Sequence, residues 1–148
     1  MVASLEFQGT EELKVPRSVV FSKLCDPKVL AQSIPEASEV SVSQDGEISC
    51  NVKVRISLVQ SSMKVKMKVL EASPETGVKV VSTATGAGSN AEVIATFKLS
   101  GAETTRVDWS ATARLSGLMS GLGTSMLRNY ASKLVDSVVT NLKSMIEQ

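Results

Sequence analysis

The run LMSGLGTSMLRNYASKLVDSVVTNLKSMIEQ, residues 118–148, decides the fold. Leu127, Tyr130, Ala131, Leu134, Val135, Val138, Val139, Leu142, Met145 and Ile146 recur at steps of three and four, with Asn129, Ser132, Lys133, Asp136, Thr140, Asn141, Lys143 and Ser144 between them. This spacing lays an apolar stripe along one side of an α-helix and a polar stripe along the other. A helix of about 25 residues is ~38 Å long at ~1.5 Å per residue. Its stripe needs an equally long apolar partner. The chain ahead of it reads mostly as strands, so the expected partner is a sheet.

Working outward, Leu5, Phe7, Gly9, Glu11 and Leu13 alternate with Glu6, Gln8, Thr10 and Glu12, the pattern of a half-buried strand. Pro16 then suits a helix start, and Val19, Val20, Lys23 and Leu24 form a short helix. Asp26-Pro27 opens a second, with Asp as cap and Pro in the first turn; Val29, Leu30 and Ile34 face inward and Pro35 ends it. From Ala37 the period becomes two. Val40 and Val42 lead into Gln44-Asp45-Gly46-Glu47, a hairpin turn. Ile48, Cys50, Val52, Val54, Ile56 and Leu58 alternate with Ser49, Asn51, Lys53, Arg55 and Ser57; Met63, Val65, Met67 and Val69 alternate with Lys64, Lys66, Lys68 and Leu70. Further strands are expected at Val78–Ala84, Ala91–Leu99 and about Thr105–Leu115, the last with Val107, Trp109, Ala111, Ala113 and Leu115 on one face. Gly86-Ala87-Gly88-Ser89-Asn90 is a turn, because it lacks the Lys-Ser/Thr ending and following helix of a phosphate loop.

Short turns between successive strands imply an antiparallel sheet, and one apolar face per strand implies a sheet wet on its other side. The fold class is therefore α+β, ordered β-α-α-β6-α: a seven-stranded curved antiparallel sheet around a long C-terminal helix, in one domain spanning residues 1–148.

Composition narrows the function. The 148 residues carry 16 Lys+Arg and 15 Asp+Glu, a balance that gives no electrostatic reason to expect nucleic acid. The absence of histidine removes the commonest general base and metal ligand, and neither a metal-ligand cluster nor a nucleophile–base pair stands out. No catalytic residue, metal or cofactor is expected. Cys25 and Cys50 are too few for a disulfide framework and read as free thiols in a reducing compartment. Neither a secretory leader nor a run of ~18 apolar residues is visible, so a cytoplasmic location without a transmembrane segment is expected.

Two stretches carry a family resemblance. Val15-Pro16-Arg17-Ser18-Val19-Val20-Phe21, followed by Asp26-Pro27-Lys28-Val29-Leu30-Ala31-Gln32-Ser33-Ile34-Pro35, is similar to the opening of the CoxG family, the G subunit of carbon monoxide dehydrogenase. Asp108-Trp109-Ser110-Ala111 and Gly117-Leu118-Met119-Ser120-Gly121-Leu122-Gly123 resemble that family's passage into its last helix. The element order is that of the helix-grip fold of the START/birch-pollen-allergen superfamily. The resemblance implies a pocket or tunnel for an apolar small molecule, quinone or lipid-like. It implies as partner a molybdenum hydroxylase of the CO dehydrogenase type, served in assembly, quinone delivery or docking at the inner face of a membrane. Some superfamily relatives are cyclases or hydrolases, so an enzyme on an apolar substrate is the alternative, and a purely interacting subunit with a filled core is a third.

The expected cavity wall is Val54, Ile56, Met67, Phe97, Trp109 and Ala111 from strands, Leu30 and Ile34 from the second helix, and Leu118, Met119, Leu122, Met126 and Tyr130 from the last. Taken singly, each reads first as plain core. Ala84, Ala95, Ala111 and Ala113 on the same faces point toward leftover volume, since a face that only had to be filled would more often use larger side chains. The Tyr130 hydroxyl can bond a ligand carbonyl, or its ring can pack while its oxygen reaches water. Gly117, Gly121 and Gly123 suggest close packing, a bend or a mobile gate. Glu11 and Glu71 are odd carboxylates at inward strand positions.

Overall fold

The computed structural model describes residues 2–56 and 58–148; Ser57, read above as outward-facing, lies outside the described residues. The chain runs β1 (Val2–Leu13), α1 (Arg17–Leu24), α2 (Pro27–Ser33), β2 (Ala37–Val42), β3 (Ile48–Ile56), β4 (Val59–Ser73), β5 (Gly77–Gly86), β6 (Ser89–Gly101), β7 (Thr105–Gly117), a 3-10 segment (Leu118–Leu122) and α3 (Thr124–Ile146). The strands form one curved antiparallel sheet ordered β1-β7-β6-β5-β4-β3-β2, so that β1 closes against the last strand.

The two short helices form where proline and its neighbours set them. The Asp26 carboxylate accepts the Lys28 N–H at 2.9 Å with Pro27 in the first turn, which satisfies an end donor that has no intrahelical partner. The junction to β7 is tied by the Thr105 hydroxyl, fully buried, donating to the Val15 carbonyl at 2.8 Å. At the far edge β2 is almost wholly exposed, including Val40 and Val42, and its register with β3 shifts between Ser38 and Ser41. Such an irregularity blunts a free sheet edge.

The helix starts later than its sequence pattern suggests. Residues 118–122 take a tighter 3-10 path, and α3 begins only after Gly123, whose φ of +98° an L side chain rarely adopts. Gly117, at φ +93°, also packs closely: a Cβ there would lie 2.2 Å from the Gly88 carbonyl oxygen. Close approach and bending thus share the work between Gly117 and Gly123, whereas Gly121 has open space around it. Among the described residues no helix is long and apolar enough to cross a membrane.

Packing is uneven along the trough between sheet and helix. One end is solid: Leu13, Val20, Leu24, Val29, Leu30, Ile48, Val78, Val80, Leu99, Val107, Leu142 and Ile146 form one buried cluster. The other end holds a small cluster of Leu5, Ile56 and Leu127. Between them the inward side chains Val65, Met67, Ala84, Val93, Ala95, Ala111 and Ala113 of the sheet, and Leu134, Val135, Val138 and Val139 of α3, are only half-buried.

Candidate functional site

Those half-buried side chains face a cavity of about 310 Å³, within the range of roughly 300–1,000 Å³ usual for small-molecule sites. Its floor comes from the inward positions of six strands. In one row across the sheet, Met67 stands opposite Ser82, Ser82 opposite Val93, Val93 opposite Ala113 and Ala113 opposite Leu5. Its roof is the α3 stripe from Leu127 through Leu142, and α2 adds Leu30, Ser33 and Ile34. The volume exists because small side chains occupy the middle of the floor: Ala84, Ala95, Ala111 and Ala113 all line it, and Ala95 lies directly opposite Ala111.

Ten of the thirteen wall residues expected from the sequence line this cavity: Leu30, Ile34, Val54, Ile56, Met67, Phe97, Trp109, Ala111, Met119 and Tyr130. Three do not, all from the stretch before and just inside α3. Leu118 is 76% exposed and covers Gly88 from outside. Leu122 packs beside the Leu5–Ile56–Leu127 cluster. Met126, 39% exposed, lies one residue before Leu127, about 100° away around the helix, so Leu127 takes the inward place and Met126 the outer. The late helix start shifts the phase of this whole segment. Conversely, the α3 stripe residues Leu134, Val135, Val138 and Val139 are a larger share of the wall than expected, although their three- and four-residue spacing already marks them as inward.

Trp109 places its ring on the wall, but its indole N–H is buried without a hydrogen-bond partner among the described residues. The ring lies over Gly9, where a Cβ would come within 2.6 Å of the indole. Gly9 therefore makes room for Trp109. Phe7, next to it on the wall, has the Arg128 guanidinium 5.8 Å from its ring centre, a cation–π contact on the exposed side. Glu11 is half-buried beside a second cavity of about 30 Å³ near Trp109 and Lys143, and Glu71 is exposed next to an irregularity in β4. Neither reaches the large cavity. Cys25 and Cys50 are free; burial pushes both thiols up, which favours their protonated form.

The large cavity's wall contains no Asp, Glu, Lys or Arg. Its polar side chains are few. Thr83, Asn90 and Ser110 are exposed at outward strand positions. The Ser33 hydroxyl donates to the Leu30 carbonyl at 2.6 Å, and the Ser89 hydroxyl oxygen accepts the Met119 N–H at 2.8 Å. Ser82, Tyr130 and the unpartnered Trp109 indole N–H remain. Burial and, second, the negative charge of Glu36 raise the Tyr130 hydroxyl above its ordinary value, so it stays a donor throughout the neutral range. Glu36 is itself paired with Arg55 at 3.1 Å.

A sheet gripping a long helix over a hollow defines the class, a START-like helix-grip domain. A family model described as the G subunit of carbon monoxide dehydrogenase (CoxG) matches residues 9–147, and the chain belongs to that family. Solved structures agree on the fold. A conserved protein from Geobacillus kaustophilus superposes with a TM-score of 0.81 at 21% identity, over 96% of this chain and 95% of that one. A START superfamily protein from Mycobacterium smegmatis gives 0.64 at 14% identity over 97% of each chain. The Zhui aromatase/cyclase from Streptomyces sp. R1128 gives 0.65 at 13% identity over 98% of this chain and 94% of that one. No curated protein sequence matches the chain.

Proposed function

We propose that the protein is a non-enzymatic carrier that encloses one apolar small molecule, quinone or lipid-like, between α3 and the sheet. The observation that carries this reading is the cavity of about 310 Å³ with no charged side chain in its wall. Burying apolar surface supplies ~25 cal/mol per Å², so a hydrocarbon guest needs no polar anchor to bind. Membership of the CoxG family supports service to a molybdenum hydroxylase of the CO dehydrogenase type as the setting for such carriage. Contact with a membrane surface fits the exposed rim. Leu58, 99% exposed, and Leu118 and Met126 all stand at the end of the sheet where β3 meets β4 and β7 meets α3.

The cyclase alternative has one point in its favour, the aromatase/cyclase among the similar folds. Acid–base ring closure would call on a base as well as an acid; the lining offers Tyr130 as a donor but no Asp, Glu, Lys or His to take a proton. Carriage therefore fits the site better. Native mass spectrometry of purified protein, before and after organic extraction, tests it. The expected result is an adduct of one apolar molecule that extraction removes and a quinone or neutral lipid restores. A bare mass throughout, with no thermal shift from any such compound, contradicts it.

A further inference from the structure

We infer that the cavity selects uncharged guests bearing a hydrogen-bond-accepting oxygen, and that Ser82 on the sheet and Tyr130 on the helix are the residues that read that oxygen. This rests on the carrier reading and narrows it.

The first half follows from charge. With no Asp, Glu, Lys or Arg among the lining residues, nothing in the cavity can compensate a carboxylate or phosphate. An unpaired charge in such surroundings is strongly disfavoured relative to a neutral group on the same chain. Arg128 does not rescue it, because it is exposed, stacked on the Phe7 ring and absent from the wall. Glu36 and Arg55 are committed to each other.

The second half follows from hydrogen bonding. Along β5 the inward positions run Val78, Val80, Ser82, Ala84, so Ser82 interrupts an apolar series with a hydroxyl. It stands between Met67 and Val93, both on the wall and both apolar. Neither Ser82 nor Tyr130 has a hydrogen-bond partner among the described residues, whereas Ser33 and Ser89 do. Ser82 stands at an inward strand position on the wall, where a hydroxyl is normally paired, and Tyr130 lines the roof half-buried; the Trp109 indole N–H is a third donor on the wall without a partner among the described residues. Here the missing partners fit a guest with oxygens, one side facing the floor and the other the roof. The donors also set a limit: they stabilise carbonyl, ether or hydroxyl oxygen and offer nothing to a purely hydrocarbon guest.

Displacement of the apolar fluorophore N-phenyl-1-naphthylamine by decane, methyl decanoate and decanoate at pH 8 tests both halves. Decane and methyl decanoate should displace the probe, and decanoate should do so at least a hundredfold more weakly than its ester. Ser82→Ala and Tyr130→Phe should each weaken the ester about five- to tenfold, the size of one net hydrogen bond, and weaken decane by much less, with circular dichroism and thermal melting showing that both variants fold. Decanoate binding as tightly as the ester overturns the charge selection. Ester affinity unchanged in the double variant overturns the assignment of Ser82 and Tyr130. If neither decane nor ester displaces the probe in the unaltered protein, the carrier reading fails and this inference with it.

Discussion

The two regions of the trough are built from the same kinds of residue and behave oppositely. At the α1–α2 end, Leu24, Ile48 and Val20 are almost fully buried and interlock with Leu142 and Ile146 of α3. A helix turn or two away, Leu134, Val135 and Val138 of the same stripe meet Ala95, Ala111 and Ala113 across open space. Side-chain identity on the helix hardly changes; the difference lies in the floor, where alanine replaces valine, leucine and isoleucine. The solid end holds the molecule together, and the hollow is left free to hold something else. Close packing is the rule in protein interiors, with few voids larger than a water, so a hollow of this size is a feature the sequence maintains.

Cutting side chains should separate the two regions most sharply. Leu24→Ala removes a fully packed side chain and should lower unfolding stability by about 2–5 kcal/mol in urea titrations. Leu134→Ala trims a wall that already faces space and should cost less than half as much. Equal losses would mean the two regions are packed alike.

Filling should invert the order. Ala31, buried in the solid cluster, has no room to grow, and Ala31→Phe should cost about 1–3 kcal/mol or more through overpacking. Ala111→Phe grows into the hollow beside Ala95 and should leave stability within about 1 kcal/mol of the parent. A melting temperature that falls as far for Ala111→Phe as for Ala31→Phe would show the floor to be already occupied.

A smaller effect tests the edge of the hollow. Gly9→Ala puts a methyl into the space of the Trp109 ring. The indole should tilt into the cavity, shifting the emission of the protein's single tryptophan and weakening guest binding several-fold with little change in secondary structure. Unchanged emission would mean that the strand, not the ring, gives way.

The smallest effect lies outside the trough altogether. The Asp45 carboxyl in the β2–β3 turn is lowered to about 2, chiefly by the Ser43 hydroxyl, then by the Lys68 ammonium at 3.0 Å and the Glu47 backbone. A lowered folded value makes this contribution present above the unfolded value of 3.8 and lost as pH falls toward 2. Amide protection factors in the turn, measured against the intrinsic rate at each pH, should therefore fall between about pH 4 and pH 2 while those of α3 hold. Simultaneous loosening of both would place the acid sensitivity elsewhere.

Much of this is legible in the chain because period is a local property. The alternation at Ile48–Ile56 and the stripe at Leu127–Ile146 each announce a face without reference to anything distant. The four floor alanines even announce the hollow, since their smallness is visible in sequence. Phase across a break is not legible. Whether Leu118, Leu122 and Met126 face in or out depends on where α3 begins, and the conformation at Gly123 is a property of the assembled corner. Ser82 escapes notice for a different reason: a serine among valines is ordinary in a strand until the partners of every other inward hydroxyl are known. The pairing of Gly9 with Trp109 likewise needs the β1–β7 register.

The central claim is that the space between α3 and the sheet is unfilled and can be occupied by an apolar guest. Equilibrium titration of N-phenyl-1-naphthylamine into the delipidated protein and into its Ala111→Phe variant tests it most directly. The expected result is saturable binding of one probe per chain that is lost, or weakened at least tenfold, when the phenyl ring fills the floor of an equally stable protein. Binding that is absent from both proteins, or equal in both, would contradict it.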